Sequence, residues 1–237
     1  GIKVVSYQRS WEEKCDYTVR EFNLENVSQI DSSFFEGVDT FVHTAALVHR
    51  KEKNTTYQTV NFLATKILFQ KCAEAGVKKF IFLSTVGVYG LSSALKSVNI
   101  GSKLAPKTPY SKSKLDAENY LIESSFSYGL DVLILRLPLV YGEGAPGNLG
   151  LLKKVTNLQI PLPFKGVKNR RSVISVENLA NSITDCALGE LNWTGIELIA
   201  EPRPLSTESI ISKINQGKSR PVIFFSVPKK ILKPIFL

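Results

Sequence analysis

Methionine is absent from the 237-residue sequence, and cysteine and histidine are scarce. The three cysteines, Cys15, Cys72 and Cys186, are too few and too scattered for a disulfide framework or a zinc site. We therefore expect no metal and a reducing, cytoplasmic setting. No apolar run reaches the ~18 residues that a membrane span needs, so we expect no stable membrane insertion.

Positive charge is in surplus. Lys and Arg number 30 against 21 Asp and Glu, which gives a formal net charge of +9. The surplus favours an anionic partner such as a nucleotide or a phosphorylated substrate. The basic residues are dispersed and are not interleaved with aromatic residues, so we expect no nucleic-acid partner. With 43% hydrophobic and 22% charged residues, the chain is typical of a globular protein and not of a disordered or coiled-coil one.

Short β-rich runs alternate with longer helical patterns. Five runs predict strands, at residues 2–7, 17–22, 39–43, 79–84 and 131–137. Three patterns predict helices, at residues 26–35, 57–75 and 110–128. The last two strand runs are almost continuously apolar, as expected for strands covered on both faces. The alternation predicts an α/β fold with a parallel sheet and helices on both sides.

The composition of the chain and the length of its predicted elements change after Leu137. Residues 142–150 are rich in glycine and proline, and the elements that follow are shorter and interrupted by prolines. We predict a main α/β core over residues 1–142, whose last strands continue into later segments. A smaller region over residues 143–237 would pack on the main sheet.

The sharpest chemical signal is Tyr110-Ser111-Lys112-Ser113-Lys114. Tyr110 and Lys114 are four residues apart, which places both side chains on one face of a helix. A free tyrosine has a pKa near ~10 and is a poor base at neutral pH, but a neighbouring ammonium favours the phenolate. The pair therefore indicates proton transfer at a hydroxyl group. The spacing alone is also typical of a packed tyrosine beside a solvated lysine.

Further motifs accompany this pair at the ends of the predicted strands, where α/β sheets bind ligands. Thr85 follows the fourth strand, and its hydroxyl would bond the same substrate oxygen as Tyr110. The motifs, in chain order, are His43-x-Ala45-Ala46, Asn61, Ser84-Thr85-x-x-Val88-Tyr89-Gly90, Tyr110-x-x-x-Lys114 and Arg136-x-Pro138-x-Val140-Tyr141-Gly142.

This set resembles the extended short-chain dehydrogenase/reductase family. Within it, the nearest group is that of the UDP-hexose 4-epimerases and nucleotide-sugar 4-ketoreductases. The motifs match in order and at family spacing over essentially the whole chain, and they are specific jointly although each is weak singly. The resemblance implies a doubly wound, Rossmann-type sheet that binds NAD or NADP, with a small C-terminal region that binds a nucleotide sugar.

The resemblance also implies roles for individual residues. Tyr110 would be the catalytic acid and base, Lys114 would lower its pKa and hold the nicotinamide ribose, and Thr85 would orient the sugar hydroxyl. The implied cofactor-binding residues are Arg9, Asn23, Leu24, Ala45, Ala46, Asn61, Ser84, Tyr110, Lys114, Leu137 and Val140. The implied substrate-binding residues are Thr85, Val86, Asn148, Leu149 and Arg171.

Three of these positions have a specific chemical reason. Arg9 stands where an acidic residue would favour NAD, and it would accept a 2′-phosphate, so NAD and NADP both stay open. Asn148 lies at the start of a predicted helix, where anions bind, and the fork of Arg171 fits a diphosphate. His43, at a strand end, is better explained as a satisfied core histidine than as a catalyst.

The sequence departs from the family at its start. The Gly-x-x-Gly-x-x-Gly turn that binds the cofactor pyrophosphate is absent, and Gly1 falls after the family's first strand and helix. That strand is central in the doubly wound order. We therefore expect the sequence to be part of a longer enzyme, and this part alone to bind a dinucleotide poorly.

The leading prediction is an NAD(P)-dependent nucleotide-sugar 4-epimerase of the UDP-glucose or UDP-N-acetylglucosamine type, acting through a 4-keto intermediate. A 4-ketoreductase or dehydratase of the same family is an alternative, as is a catalytically inactive NAD(P)-sensing protein. The resemblance further implies a homodimer built through a four-helix bundle, to which helices 57–75 and 110–128 would contribute.

Overall fold

The computed structural model describes residues 4–8, 18–48, 53–91, 97–142, 147–158, 160–167, 169–215 and 220–227. Its strands are β1 Val5–Gln8, β2 Thr18–Glu21, β3 Thr40–His43, β4 Lys79–Thr85, β5 Asp131–Leu137, β6 Leu139–Tyr141, β7 Val173–Ser175 and β8 Gly195–Leu198. Its α-helices are α1 Asn54–Tyr57, α2 Ala64–Glu74, α3 Pro109–Tyr128, α4 Gly147–Asn157, α5 Val176–Leu188 and α6 Thr207–Ile214. Among the described helices, none is long and apolar enough to cross a membrane.

The strands form three sheets. β1 pairs with β2, the order of the largest sheet is β3-β4-β5-β8, and β6 pairs with β7. The β1–β2, β3–β4 and β6–β7 pairs are all parallel. The prediction of an α/β fold with parallel strands and helices is confirmed, with β1 and β2 in a sheet of their own.

The chain divides into two compact units. The first contains residues 1–90, 101–135 and 192–197, and the second contains residues 91–100, 136–191 and 198–237. The predicted division at residue 142, into a cofactor region and a substrate region, stays a prediction.

Helix α3 begins and ends where its sequence dictates. Thr108 caps it, because its hydroxyl accepts from the Ser111 N–H while the Ser111 hydroxyl accepts from the Thr108 N–H. Pro109 stands in the first turn, where its missing N–H costs nothing. Gly129 ends the helix in the left-handed conformation, with φ +61°. These signals place Tyr110 in the first turn of α3.

Helical backbone runs through residues 54–74, and its middle, Gln58–Leu63, is π-helical. This helix lies parallel to α3. Gln58 donates to the carboxylate of Asp116 at 2.7 Å. About three turns further along both helices, Gln70 donates to the Tyr128 hydroxyl at 3.2 Å. Gly76, with φ +79°, lies in the turn that ends it.

The single helix predicted over residues 26–35 is wrong. Two short 3₁₀ helices, Leu24–Gln29 and Ser32–Phe35, occupy this part of the chain. Asn23 and Asp31 cap them through their side-chain oxygens, so a new helix starts at Asp31 instead of the first one continuing. Asx and serine side chains compete with helical backbone bonds, which explains the break.

The core of the first unit is built largely from phenylalanine. The rings of Phe35, Phe41, Phe80 and Phe69 follow one another at centroid distances of 5.3, 5.4 and 5.5 Å. Aromatic contacts at these distances add to the free energy of burial. The ring contacts hold β3 and β4 against the helical segments that carry Phe35 and Phe69. They therefore keep the carboxyl ends of both strands in place.

The second unit has its own smaller cores. Val173 and Ile210 form one of them, and Leu162, Phe164 and Ile211 form another. Both of these cores contain a residue of α6, and the second is completed by an isolated parallel bridge between Leu162 and Phe224.

Candidate active site

The turn after β4 carries the first candidate side chain. Thr85 caps the 3₁₀ turn Val86–Tyr89, and its Oγ1 accepts from the Gly87 N–H at 3.0 Å. That bond uses an oxygen lone pair and leaves the hydroxyl proton for a substrate oxygen. A Cβ on Gly87 would lie 3.2 Å from Thr85 Oγ1 and 3.4 Å from Ser111 Cβ. The end of β4 and the first turn of α3 therefore meet at Gly87.

Tyr110 and Lys114 follow on the first turns of α3. Tyr110 is half-buried, and Lys114 is only 2% exposed. The Lys114 ammonium donates to the Leu83 carbonyl at 2.7 Å and lies 4.2 Å from the centroid of the Phe82 ring. An ammonium has three N–H donors, so two remain for ligands. The predicted trio of Thr85, Tyr110 and Lys114 thus belongs to one pair of elements, β4 with its turn and α3.

Burial sets the pKa of both α3 groups. It raises the pKa of Tyr110 to about 12. It lowers the pKa of Lys114 to about 7, against the opposing effect of the Glu118 charge. The expected lowering of the Tyr110 pKa by Lys114 is not found in this state, because desolvation of the phenolate dominates.

Ser84 lies beside Thr85 but points into the protein. It is 3% exposed, and its hydroxyl donates to the carboxylate of Glu118, which is 1% exposed. Glu118 is one helical turn beyond Lys114. Ser84 therefore joins β4 to α3 through its side chain, and the cofactor contact that the resemblance implied for it stays a prediction.

Asn61 links three segments around the site. Its side chain accepts from the Leu47 N–H at 2.7 Å and donates to the Leu47 carbonyl at 3.1 Å. The same amide donates to the Ser113 hydroxyl at 3.1 Å, and that hydroxyl donates to the Tyr110 carbonyl at 2.9 Å. Asn61 thus ties the segment after β3 to the turn of α3 that carries Tyr110.

The segment after β3 is open to a ligand. Ala45 is exposed and Ala46 is half-buried, so small side chains leave the backbone accessible. Together with the two remaining donors of Lys114, this segment fits a flat ring and a ribose. The Asn61 amide is 1% exposed and has both N–H groups bonded to Leu47 and Ser113, so it holds the segment in place. The residues present are therefore suited to a nicotinamide nucleotide.

His43 is a core histidine, as expected. It is 3% exposed, and burial lowers its pKa to about 3, so the ring is neutral at pH 7. Its Nε2 lies 3.0 Å from Thr65 Oγ1, and that hydroxyl donates to the Asn61 carbonyl at 2.7 Å. Because the single hydroxyl proton is used in that bond, Nε2 carries the proton and donates to Thr65. His43 therefore supports the position of Asn61 through the Thr65 hydroxyl.

The other predicted cofactor residues lie in different parts of the chain. Asn23 uses its Oδ1 to cap a 3₁₀ helix, and Leu24 packs against the core of the first unit. Arg9 lies outside the described residues. Leu137 and Val140 belong to the second unit, where Leu137 ends β5 and Val140 pairs with Ile174.

The predicted substrate residues also divide between the units. Val86, in the first unit, is 37% exposed in the turn after Thr85. Asn148 and Leu149 lie in the first turn of α4 in the second unit, and their side chains are outside the described residues. Arg171 is exposed, and its backbone pairs with that of Leu205 in an antiparallel bridge.

Sequence reasoning missed Glu118, Thr65 and Ser113. Glu118 follows Lys114 by four residues and looks like half of a surface ion pair, which gives no sign that it is buried. Thr65 and Ser113 are four and three residues from Asn61 and Tyr110. That regular spacing was the one available signal that they share a face with a site residue.

The chain is similar in sequence and in fold to known proteins. The chain is 28% identical over 237 residues to the UDP-glucose 4-epimerase of Vibrio cholerae, in a match that covers 91% of this chain and 72% of that one. Its fold is similar to that of the UDP-glucose 4-epimerase of Thermotoga maritima, with a TM-score of 0.75, 19% identity, and 97% and 79% of the two chains covered. It is similar to the UDP-N-acetylglucosamine 4-epimerase of Bacillus cereus at a TM-score of 0.76 and 21% identity, with 99% and 83% covered.

The resemblance inferred from the motifs is confirmed by a family model that matches residues 1–186, over three quarters of the chain. On that match, the chain belongs to the NAD dependent epimerase/dehydratase family.

Proposed function

We propose that the protein is a nucleotide-sugar 4-epimerase that uses NAD or NADP, acts on a UDP-glucose or UDP-N-acetylglucosamine type of substrate and passes through a 4-keto intermediate. The observation that carries this proposal is the placement of Thr85, Tyr110 and Lys114 on β4, its turn and α3, with the Thr85 hydroxyl proton and two Lys114 donors unused by the bonds described.

Each residue has a distinct task in this reaction. The bound cofactor supplies the site that accepts and returns the hydride. Tyr110 removes the proton of the sugar 4-hydroxyl and returns it when the ketone is reduced. Thr85 donates to the same sugar oxygen and orients it. Lys114 provides positive charge near the phenolate and bonds the ribose.

The substrate diphosphate needs cationic and N–H donors. We assign this role to Arg171 and to Asn148 and Leu149 in the first turn of α4. Arg171 is exposed and already fixed at its backbone, so its guanidinium fork is available for two phosphate oxygens. The first turn of a helix adds backbone N–H groups.

We also infer a homodimer that forms through the helices beside the site. Ile122 and Phe126 are four residues apart on α3 and are 40% and 96% exposed. Leu63, on the parallel helix 54–74, is 44% exposed. An apolar face of this kind is suited to a second copy of the same helix pair. The free, buried thiols of Cys72 and Cys186 support a cytoplasmic setting.

Replacement of Tyr110 by Phe tests the function. With the full-length protein and UDP-glucose, we expect kcat to fall by about 10²- to 10⁴-fold and KM to change little. Tyr128→Phe, on the exposed end of the same helix, is the matched control and should keep wild-type activity. Near-normal turnover by Tyr110→Phe would refute the assignment.

The nature of the product separates epimerisation from the alternatives. Conversion of UDP-glucose to UDP-galactose, followed by NMR, supports the 4-epimerase. Binding of NAD(P) and UDP-glucose without any product would instead support a sensing protein.

A further inference from the structure

Two adjacent residues of β4 hold two side chains of α3 that are one helical turn apart. The Leu83 carbonyl accepts from the Lys114 ammonium at 2.7 Å, and the Ser84 hydroxyl donates to the Glu118 carboxylate. Two bonds at neighbouring positions fix both the rotation and the axial position of a helix. The position of Tyr110, one turn before Lys114, follows from them.

The groups that make these bonds are enclosed. Lys114, Glu118 and Ser84 are 2%, 1% and 3% exposed. A buried carboxylate or ammonium is strongly unfavourable unless opposite charge or hydrogen bonds compensate it. Lys114 and Glu118 are four residues apart on one helix, a spacing at which opposite charges stabilise each other. The charge of Glu118 therefore favours the ammonium form of Lys114.

The groups that face Lys114 determine how its charge is stabilised. The Phe82 ring and the Leu83 carbonyl face the ammonium from β4, His43 lies close enough on β3 for the lysine charge to lower its pKa, and Tyr110 stands on α3. At neutral pH His43 and Tyr110 are uncharged. Burial lowers the pKa of Lys114, and the charge of Glu118 opposes that effect.

We propose that Glu118 is a positioning residue of this site, which with Ser84 sets the register of α3 on β4 and supplies the negative charge that keeps Lys114 an ammonium. The inference rests on the proposed function for its catalytic consequence. Glu123 lies on the same helix but is exposed, so we expect no such role for its charge. It is therefore the matched control.

The experiment follows the titration of Lys114 directly. Lysine side-chain NMR on the full-length protein, with the Lys114 signal assigned through Lys114→Met, gives its pKa without any substrate. In Glu118→Gln, which keeps an acceptor for Ser84 but removes the charge, we expect the pKa of Lys114 to fall by about one unit or more. In Glu123→Gln it should stay at the wild-type value. An unchanged pKa in a folded Glu118→Gln would overturn the proposal.

Turnover provides the second readout. In Glu118→Gln the alkaline limb of the kcat/KM profile for UDP-glucose should move to lower pH by the same amount as the pKa. In Ser84→Ala, which keeps the charge, kcat should fall about 10- to 100-fold with an unchanged alkaline limb. Wild-type kcat in Ser84→Ala would refute the register role.

Two further outcomes are decisive. If Glu118→Gln does not fold, the same titration in Ser84→Ala, which keeps the Glu118 charge, decides: the pKa of Lys114 should stay at the wild-type value, and a fall would count against the charge role of Glu118. If the wild-type protein turns over neither UDP-glucose nor UDP-N-acetylglucosamine, the proposed function fails, while the NMR titration still decides the role of Glu118.

Discussion

Gly90 is the position at which a single methyl group should do most damage to the site. It ends the turn that follows Thr85 and has φ +65°. A Cβ added there would lie 1.8 Å from the Ala105 carbonyl oxygen. The same two segments are joined by a bond from the Ala105 N–H to the Val88 carbonyl at 3.0 Å. Gly90→Ala must therefore either move residue 105 away or deform the turn.

The cost can be assembled from three contributions. Holding alanine in the left-handed conformation costs about 1–2 kcal/mol. Real Cβ contacts essentially never fall below 3.0 Å, so the carbonyl must retreat by about 1.2 Å, and overpacking of this kind costs about 1–3 kcal/mol. Loss of the bond to Val88 adds about 1 kcal/mol. We expect Gly90→Ala to lower the free energy of unfolding by about 3–6 kcal/mol in all.

Gly129 is the matched control. It also ends a helical segment in the left-handed conformation, with φ +61°, but a Cβ there meets nothing within 4 Å. Gly129→Ala should therefore lose only the conformational contribution, about 1–2 kcal/mol. Urea unfolding of both variants measures the difference. Equal losses for Gly90→Ala and Gly129→Ala would refute the clash with residue 105.

Two further predictions concern acid stability and assembly. Because the pKa of His43 is about 3 in the folded protein and the ordinary pKa of histidine is 6.5, the unfolded chain binds the proton first as the pH falls through this range. Stability should fall between pH 6.5 and 3, by roughly 5 kcal/mol in total. His43→Gln should flatten this part of the pH profile, and a wild-type profile in that variant would contradict the assignment. Phe126→Glu should dissociate the inferred dimer in analytical ultracentrifugation without changing monomer stability, whereas Ser127→Glu, a neighbouring exposed position, should leave it intact.

The elements with strong local signals were predictable. Helix α3 was expected over residues 110–128 and is observed over Pro109–Tyr128, because Thr108, Pro109 and Gly129 mark its ends by local chemistry. The placement of Thr85 at the end of β4 and of Tyr110 and Lys114 on one helix was also predictable, since helical spacing and the ends of parallel strands constrain where such side chains lie. Their catalytic roles stay predictions.

The elements that depend on distant contacts were not predictable. The π-helical segment Gln58–Leu63 holds Asn61, whose partners Leu47 and Ser113 are 14 and 52 residues away in the chain. No local pattern signals such a register. The burial of Glu118 likewise depends on Ser84, 34 residues earlier. Local propensity carries no information on either partner.

The pKa of Tyr110 decides when the site is able to act as a base. A general base that works at neutral pH needs a pKa near ~7, and bringing the pKa of Tyr110 down from about 12 requires about 7 kcal/mol of electrostatic stabilisation of the phenolate. One ammonium ~4 Å from the oxygen supplies about 4 kcal/mol at an effective dielectric constant of about 20. Lys114 alone is therefore insufficient even when fully protonated, and a second positive charge, such as that of an oxidised nicotinamide, has to lie near the same oxygen. The phenol thus stays protonated without that second charge, and its activation depends on a lysine charge that Glu118 maintains.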